Sequence, residues 1–279
     1  MTYNVFFTVL TDPALIEETL AHATAAAEAY DAHLEILCLG VDRSQTGYYY
    51  AGASAMVLQE TIGQAQEDAA EISKKVKSLM DGRPIRWSAE SGVAQLADLG
   101  RHVAARARYS DLALLPKPYG EGRGVELEAV AEGALFEGGT AAVILPEGHT
   151  PCPRPKRILI GWNESAEALA AVRAAMPLLA QADQVRVAVI DPPSHGPNRS
   201  DPGGELTQYL ARHGMRVEID VLAKTLPRVS DMLNRQVVDM DADFMVMGAY
   251  GHSRFRQAIF GGTTRMMLEN TPIPILMAR

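Results

Sequence analysis

The stretch Phe244-Met-Val-Met-Gly248-Ala-Tyr-Gly251, followed nine residues later by Gly261-Gly262-Thr263-Thr264, decides how the rest of the chain is read. A short apolar run of large side chains has the character of a buried strand. Glycines follow at fixed offsets, and a helix then opens on hydroxyl residues. Glycine permits close backbone approach and φ > 0, so such a junction can turn several backbone N–H groups toward one anion. The start of the helix adds its own unbonded N–H groups and the positive end of its dipole. The stretch therefore reads as a cradle for the phosphates of a nucleotide. It is neither a Gly-Lys-Ser/Thr phosphate loop nor Gly-x-Gly-x-x-Gly.

Working outward, strands and helices alternate along the whole chain. Residues 4–10 read as a strand, closed by Asp12 and Pro13, which suit a helix cap and first turn. A helix over 14–30, a strand over Leu34–Leu39, a Gly/Tyr-rich loop over 40–53 and a helix over Met56–Met80 follow. Pro84–Ala89 reads as the third strand, Val93–Arg108 as a helix, and Leu112–Leu115 and Ala142–Leu145 as the last two strands of this half. A proline-rich segment then restarts the series: strand Arg157–Trp162, helix Ser165–Ala180, strand Val185–Ile190, a loop and helix to about His213, strand Arg216–Val221, helix Ser230–Met240, the opening strand, and Ile273–Met277. This order predicts two tandem Rossmann-like or flavodoxin-like α/β domains at 1–146 and 155–279, joined by a linker at 147–154. Each would be a doubly wound, five-stranded, mostly parallel sheet with helices on both faces.

The halves register without gaps in two places. A shift of 151 lays Phe6–Asp12 on Arg157–Asn163, and a shift of 132 lays Asp111–Leu115 on Asp243–Met247. This is a tandem duplication. The second register puts Pro116, Tyr119 and Ala129 opposite Gly248, Gly251 and Gly261, so the first half lacks the cradle. Charge follows the same asymmetry. Residues 1–147 hold 11 basic and 21 acidic side chains, whereas 148–279 hold 15 and 13, out of a net charge of −8. Only the second half is hospitable to a phosphate.

A 279-residue chain with 47% hydrophobic and 22% charged residues has ample material for two cores. Its acidity argues against nucleic acid as a partner, and no apolar run reaches the ~18 residues of a membrane span. The N-terminus reads as a first strand and not a signal peptide, so a cytoplasmic location is expected. Cys38 and Cys152 are too few for a disulfide framework, and the histidines show no metal-ligand spacing. Gly251-His-Ser-Arg-Phe255 approaches a nucleophile elbow but lacks its final glycine and comes too late after the strand.

The run Met247-Gly-Ala-Tyr-Gly-His-Ser-Arg-Phe-Arg256, with Phe260-Gly-Gly-Thr-Thr-Arg265 and Thr271-Pro-Ile-Pro-Ile-Leu-Met277, resembles the C-terminal signature of the universal stress protein family, Gly-x2-Gly-x9-Gly-(Ser/Thr). The resemblance implies ATP, ADP or AMP, with or without Mg, bound in the second domain. Gly248, Gly251, Gly261 and Gly262 would supply backbone N–H groups and clearance, with Met247, His252 and Arg254 beside them. Here Gly262 stands in the family's Ser/Thr position, which leaves Thr263 or Thr264 to offer a hydroxyl. Gly161 and Asn163 would flank the ligand at the end of the first strand, Asn163 replacing the family's acidic residue. Val189 would meet adenine through its main chain. The resemblance further implies an internal pseudo-dimer through the fifth strands, with a homodimer beyond it, and a regulatory protein with no catalytic residues, at most a weak ATPase. The competing expectation is a nucleotide-independent interaction module with a vestigial glycine loop.

Overall fold

The computed structural model describes residues 2–44, 55–120, 122–192, 200–249 and 262–279. Two compact units divide the chain between Thr140 and Ala141. The first contains β1 (Val5–Leu10), α1 (Ile16–Tyr30), β2 (His33–Asp42), α2 (Ala55–Met80), β3 (Trp87–Gln95), α3 (Leu99–Ala107), β4 (Leu112–Pro116) and α4 (Val125–Glu132), which continues into a π-type turn over Gly133–Glu137. Its strands lie in the order β3-β2-β1-β4, all parallel. Phe6 and Phe7 point to opposite faces of β1 and both are buried, as a strand covered on two sides requires.

The second unit contains β5 (Ala142–Leu145), β6 (Arg157–Trp162), α5 (Ala166–Ala174), α6 (Met176–Leu179), β7 (Gln184–Ile190), α7 (Gly204–Arg212), β8 (Val217–Leu222), α8 (Val229–Asp239), β9 (Phe244–Gly248), α9 (Thr263–Asn270) and β10 (Ile275–Ala278). The strands order as β5-β10-β9-β6-β7-β8, and only β5 is antiparallel. Ile275 faces Ile144 and Met277 faces Ala142. β10 is therefore hydrogen-bonded on both sides, and the expected pairing between fifth strands is made inside the chain. An apolar strand as short as this would otherwise present an open edge.

The doubly wound α/β class expected from the sequence is what forms, with local corrections. The third strand runs over Trp87–Gln95 and not Pro84–Ala89. It is an outer strand with little buried surface, so no hydrophobic alternation marks it. Its ladder with β2 extends to Asp42–Gln95, which draws Gly40–Asp42 out of the expected loop and delays the helix expected at Val93 until Leu99. The helix expected over Ser165–Ala180 breaks at Ala175, because Pro177 has no N–H to continue the ladder. The last strand begins at Ile275, after Pro274. Among the described residues no helix is long and apolar enough to cross a membrane.

The strand pairings also refine the duplication. Phe6 pairs with Leu112 and Leu34, while Ile158 pairs with Phe244 and Val185. Both neighbours relate β1 to β6 by 152 positions, one more than the gapless register. The same equivalence appears in a carboxylate clamp. Asp111 accepts from the backbone N–H groups of Asn4 (2.7 Å) and Val5 (3.0 Å), and Asp243 accepts from Lys156 (2.9 Å) and Arg157 (2.9 Å). One side chain thus fixes where the first strand of each unit begins. Charge-assisted bonds of this kind contribute about 1.5–3 kcal/mol each. Asp243→Ala removes two such bonds but leaves both N–H groups near solvent, where water offsets part of the loss, and should lower unfolding free energy by about 2 kcal/mol in urea titrations, with the m-value unchanged.

Candidate functional site

In the second unit the chain passes from β6 to β7 on one side of β6, and β9 later adds to the other side. The gap between β6 and β9 is thus the switch point at which open α/β sheets accept ligands, at the carboxyl ends of the strands. Gly161 lies there directly opposite Met247, and Trp162 opposite Val189. Four of the residues singled out from the sequence or its resemblance, Gly161, Val189, Met247 and Gly248, therefore come together on three neighbouring strand ends. Asn163 follows β6 immediately and is exposed.

The local chemistry after β6 is set by side chains that replace helix bonds. The Asn163 Oδ1 accepts from the Ser165 N–H at 3.2 Å, and the Ser165 Oγ accepts from the Ala168 N–H at 3.1 Å, capping α5. Asp12 accepts from the Ala14 N–H at 2.8 Å after β1. The two turns share this bond although β1 and β6 are offset by one residue more than the sequence register allowed. The turn absorbs the extra position.

Gly248 has a packing reason of its own. A Cβ there would lie 2.5 Å from the Ala168 nitrogen and 2.8 Å from the Glu167 carbonyl carbon, both backbone atoms of the first turn of α5. Any side chain at 248 would push the helix start away from the strand end. Gly161 is less constrained, since its Cβ would meet Leu233 and Met247 side chains at 3.4 and 3.5 Å. On the other flank Gly203 holds φ +85, and a Cβ there would lie 3.3 Å from Val189 Cγ2 and 3.7 Å from Trp162 Cδ1. The segment entering α7 is thereby seated against the ends of β6 and β7. Trp162 and Gly203 carried no sequence signal, because their meeting joins segments some forty residues apart.

The start of α9 carries the remaining described residues of the glycine pattern. Gly262 is its N-cap, with φ −60 and ψ 154, and has no side chain with which to cap the helix. Thr263 is half-buried and Thr264 is buried. Gly251, His252, Arg254 and Gly261, together with Ser253 of the elbow-like run, lie outside the described residues. Two further polar atoms escaped the sequence reading. Among the described residues the Ser230 Oγ and Asn234 Oδ1 are buried without a hydrogen-bond partner, one turn apart on α8, the helix whose Leu233 faces Gly161. Nothing in a Ser-x-x-x-Asn spacing distinguishes them from surface residues. Among the described residues no group of three His, Cys, Asp or Glu side chains is placed to hold a metal. Burial pushes the Cys38 thiol up to about 11, so at neutral pH it is a buried apolar group and not a nucleophile.

Different glycines therefore predict different costs. Gly248→Ala should lower stability by about 1–3 kcal/mol through overpacking against backbone, whereas Gly161→Ala should cost less than about 1 kcal/mol. Thermal unfolding without added ligand measures both.

Comparison with known proteins now bears on this geometry. The family model described as the universal stress protein family matches residues 155–279. A universal stress protein of Synechocystis sp. is 33% identical over 76 residues, a match that covers 27% of this chain and 25% of that protein. The matched segment spans about a quarter of that relative's length. The structure of a universal stress protein from Archaeoglobus fulgidus aligns with a TM-score of 0.75 at 13% identity, covering 99% of this chain and 96% of the other. That of a putative universal stress protein from Pseudomonas aeruginosa aligns with a TM-score of 0.59 at 12% identity, covering 99% and 93%. At such identities the structures speak for the fold alone. The matched residues begin just before β6 and include the switch point, Gly248 and the start of α9. The part of the chain that holds the candidate site is thus the part that is similar to the universal stress protein family.

Proposed function

We propose that the second unit binds an adenine nucleotide (ATP, ADP or AMP) at the carboxyl ends of β6, β7 and β9, and that the protein acts in a stress response through this binding and not through catalysis. The reading places it in the cytoplasm. One observation carries it: at the switch point, three strand ends bearing Gly161, Val189 and Gly248 converge in the unit whose last helix opens on Gly262, an N-cap residue with no side chain. Phosphate oxygens suit backbone N–H groups at such a helix start. Glycine at 161 and 248 leaves main chain, and not side chains, to meet a ribose or a base. The balance of charge in the second half, 15 basic to 13 acidic, offers no net repulsion. On this reading Thr263 or Thr264 supplies the hydroxyl that Gly262 lacks.

The competing reading, a nucleotide-independent module, draws support from Gly248, whose glycine is required by packing against α5 whether or not a ligand binds. Calorimetric titration of the purified chain with ATP, ADP and AMP separates the two. Binding of at least one with a dissociation constant below about 1 mM, or about −4 kcal/mol, is expected; heats indistinguishable from dilution at millimolar ligand sink the proposal. Gly262→Asp gives a sharper test. Asp is a strong N-cap, so the variant should unfold at the same or a higher temperature. Its carboxylate would nevertheless repel a phosphate at the same helix start, and affinity should fall at least about tenfold, or 1.4 kcal/mol.

A further inference from the structure

The two halves diverge most after their fourth strands. Residues 117–124, eight in number, separate β4 from α4, whereas the fourteen residues 249–262 separate β9 from α9. Ala129, which the sequence register set opposite Gly261, lies inside α4. The helix start has moved to Gly124, which has φ −77, ψ 153 and no side-chain cap.

The first turn of this helix carries Glu126, only 5% exposed. Its carboxylate folds back over the cap. A Cβ at Gly124 would lie 2.3 and 2.4 Å from the two carboxylate oxygens, so a side chain at 124 would have to displace the carboxylate. The countercharge comes from a different element. Arg43, the residue after β2, donates from Nη2 to Glu126 Oε1 at 2.7 Å, with its own side chain 54% exposed. An ordinary acidic residue in a first helical turn stays in water and needs no partner. A buried carboxylate does need one. Arg43 follows the carboxyl end of β2 directly, so the pair lies at the edge that corresponds to the one where the second unit presents its glycines. Another buried polar atom, the Thr11 Oγ1 just after β1, has no hydrogen-bond partner among the described residues.

We propose that Glu126 is a built-in anion. Its carboxylate holds the helix-start position in the first unit that a ligand phosphate takes in the second, and Arg43 neutralises it. The comparison between the units rests on the nucleotide reading above. The first unit has thus lost its ligand without losing the electrostatic demand for one. It closes to external anions and keeps its fold independent of nucleotide supply.

Thermal unfolding of the full chain in inorganic phosphate, against chloride at equal ionic strength, tests this. Removing the carboxylate by Glu126→Ala exposes Arg43 and the helix start together. About 20 mM phosphate should then raise Tm by about 2–4 °C more than in the wild type. The added rise should vanish in the Glu126→Ala, Arg43→Met double variant. Glu126→Gln, which keeps the side-chain volume, should behave like Glu126→Ala and serves if that variant does not fold. An equal phosphate response in wild type and variants overturns the proposal. A second measurement needs no anion. Gly124→Ala should lower Tm in the wild type and lower it by less than half as much in the Glu126→Ala background; equal losses overturn the proposed contact. The wild-type nucleotide titration is decided separately. If it fails while Glu126→Ala gains phosphate stabilisation, Glu126 stands as the plug of an anion site and only the comparison with the second unit falls. If nucleotide binds and no gain appears, the plug alone is wrong.

Discussion

The candidate site depends on how closely the end of β9 approaches the first turn of α5. That approach exists because residue 248 has no side chain: the nearest backbone atom of α5 would stand 2.5 Å from a Cβ. Ser165 fixes the helix from its own end by capping the Ala168 N–H. Asn163 fixes the turn before it. Between them, the carboxyl end of β6 is held against that of β9, with Gly161 and Met247 opposite one another. A parallel sheet with both faces covered leaves its strand ends as the place where main chain is accessible, and here small residues keep that main chain clear.

The duplication supplies an internal control for what such a site requires. Both units share the parallel strands, the carboxylate clamp on the first strand and the local bond after it. They differ in how the chain is spent after the fourth strand. In the first unit eight residues, against fourteen in the second, separate the fourth strand from the next described helix. There the helix start meets an acidic side chain and an arginine. Fold and site are therefore separable: the same strand order supports a glycine-lined edge in one copy and an ion pair in the other.

Much of this was legible beforehand because it rests on short-range patterns. Central strands such as Leu112–Pro116 and Phe244–Gly248 are apolar throughout, since both faces are covered. Asp12 and Ser165 announce helix starts by side-chain chemistry that reaches only two or three residues. The outer strand Trp87–Gln95 was misplaced because a strand with little buried surface needs no alternation, and its extent is set by its partner. The one-residue slip between β1 and β6 was invisible for a related reason. Two apolar strands slide past each other in sequence without penalty, whereas hydrogen-bonded neighbours fix one register.

By itself, the sequence determined the order of elements, the duplication, and the confinement of the glycine pattern to the second half, because periodicity, capping and backbone freedom are local properties. Only the tertiary structure decided which glycine is demanded by packing, that β10 is closed by β5, and that Glu126 meets Arg43 across some eighty residues. Those facts depend on which segments become neighbours when the sheet assembles, and no local pattern encodes a neighbour that far along the chain.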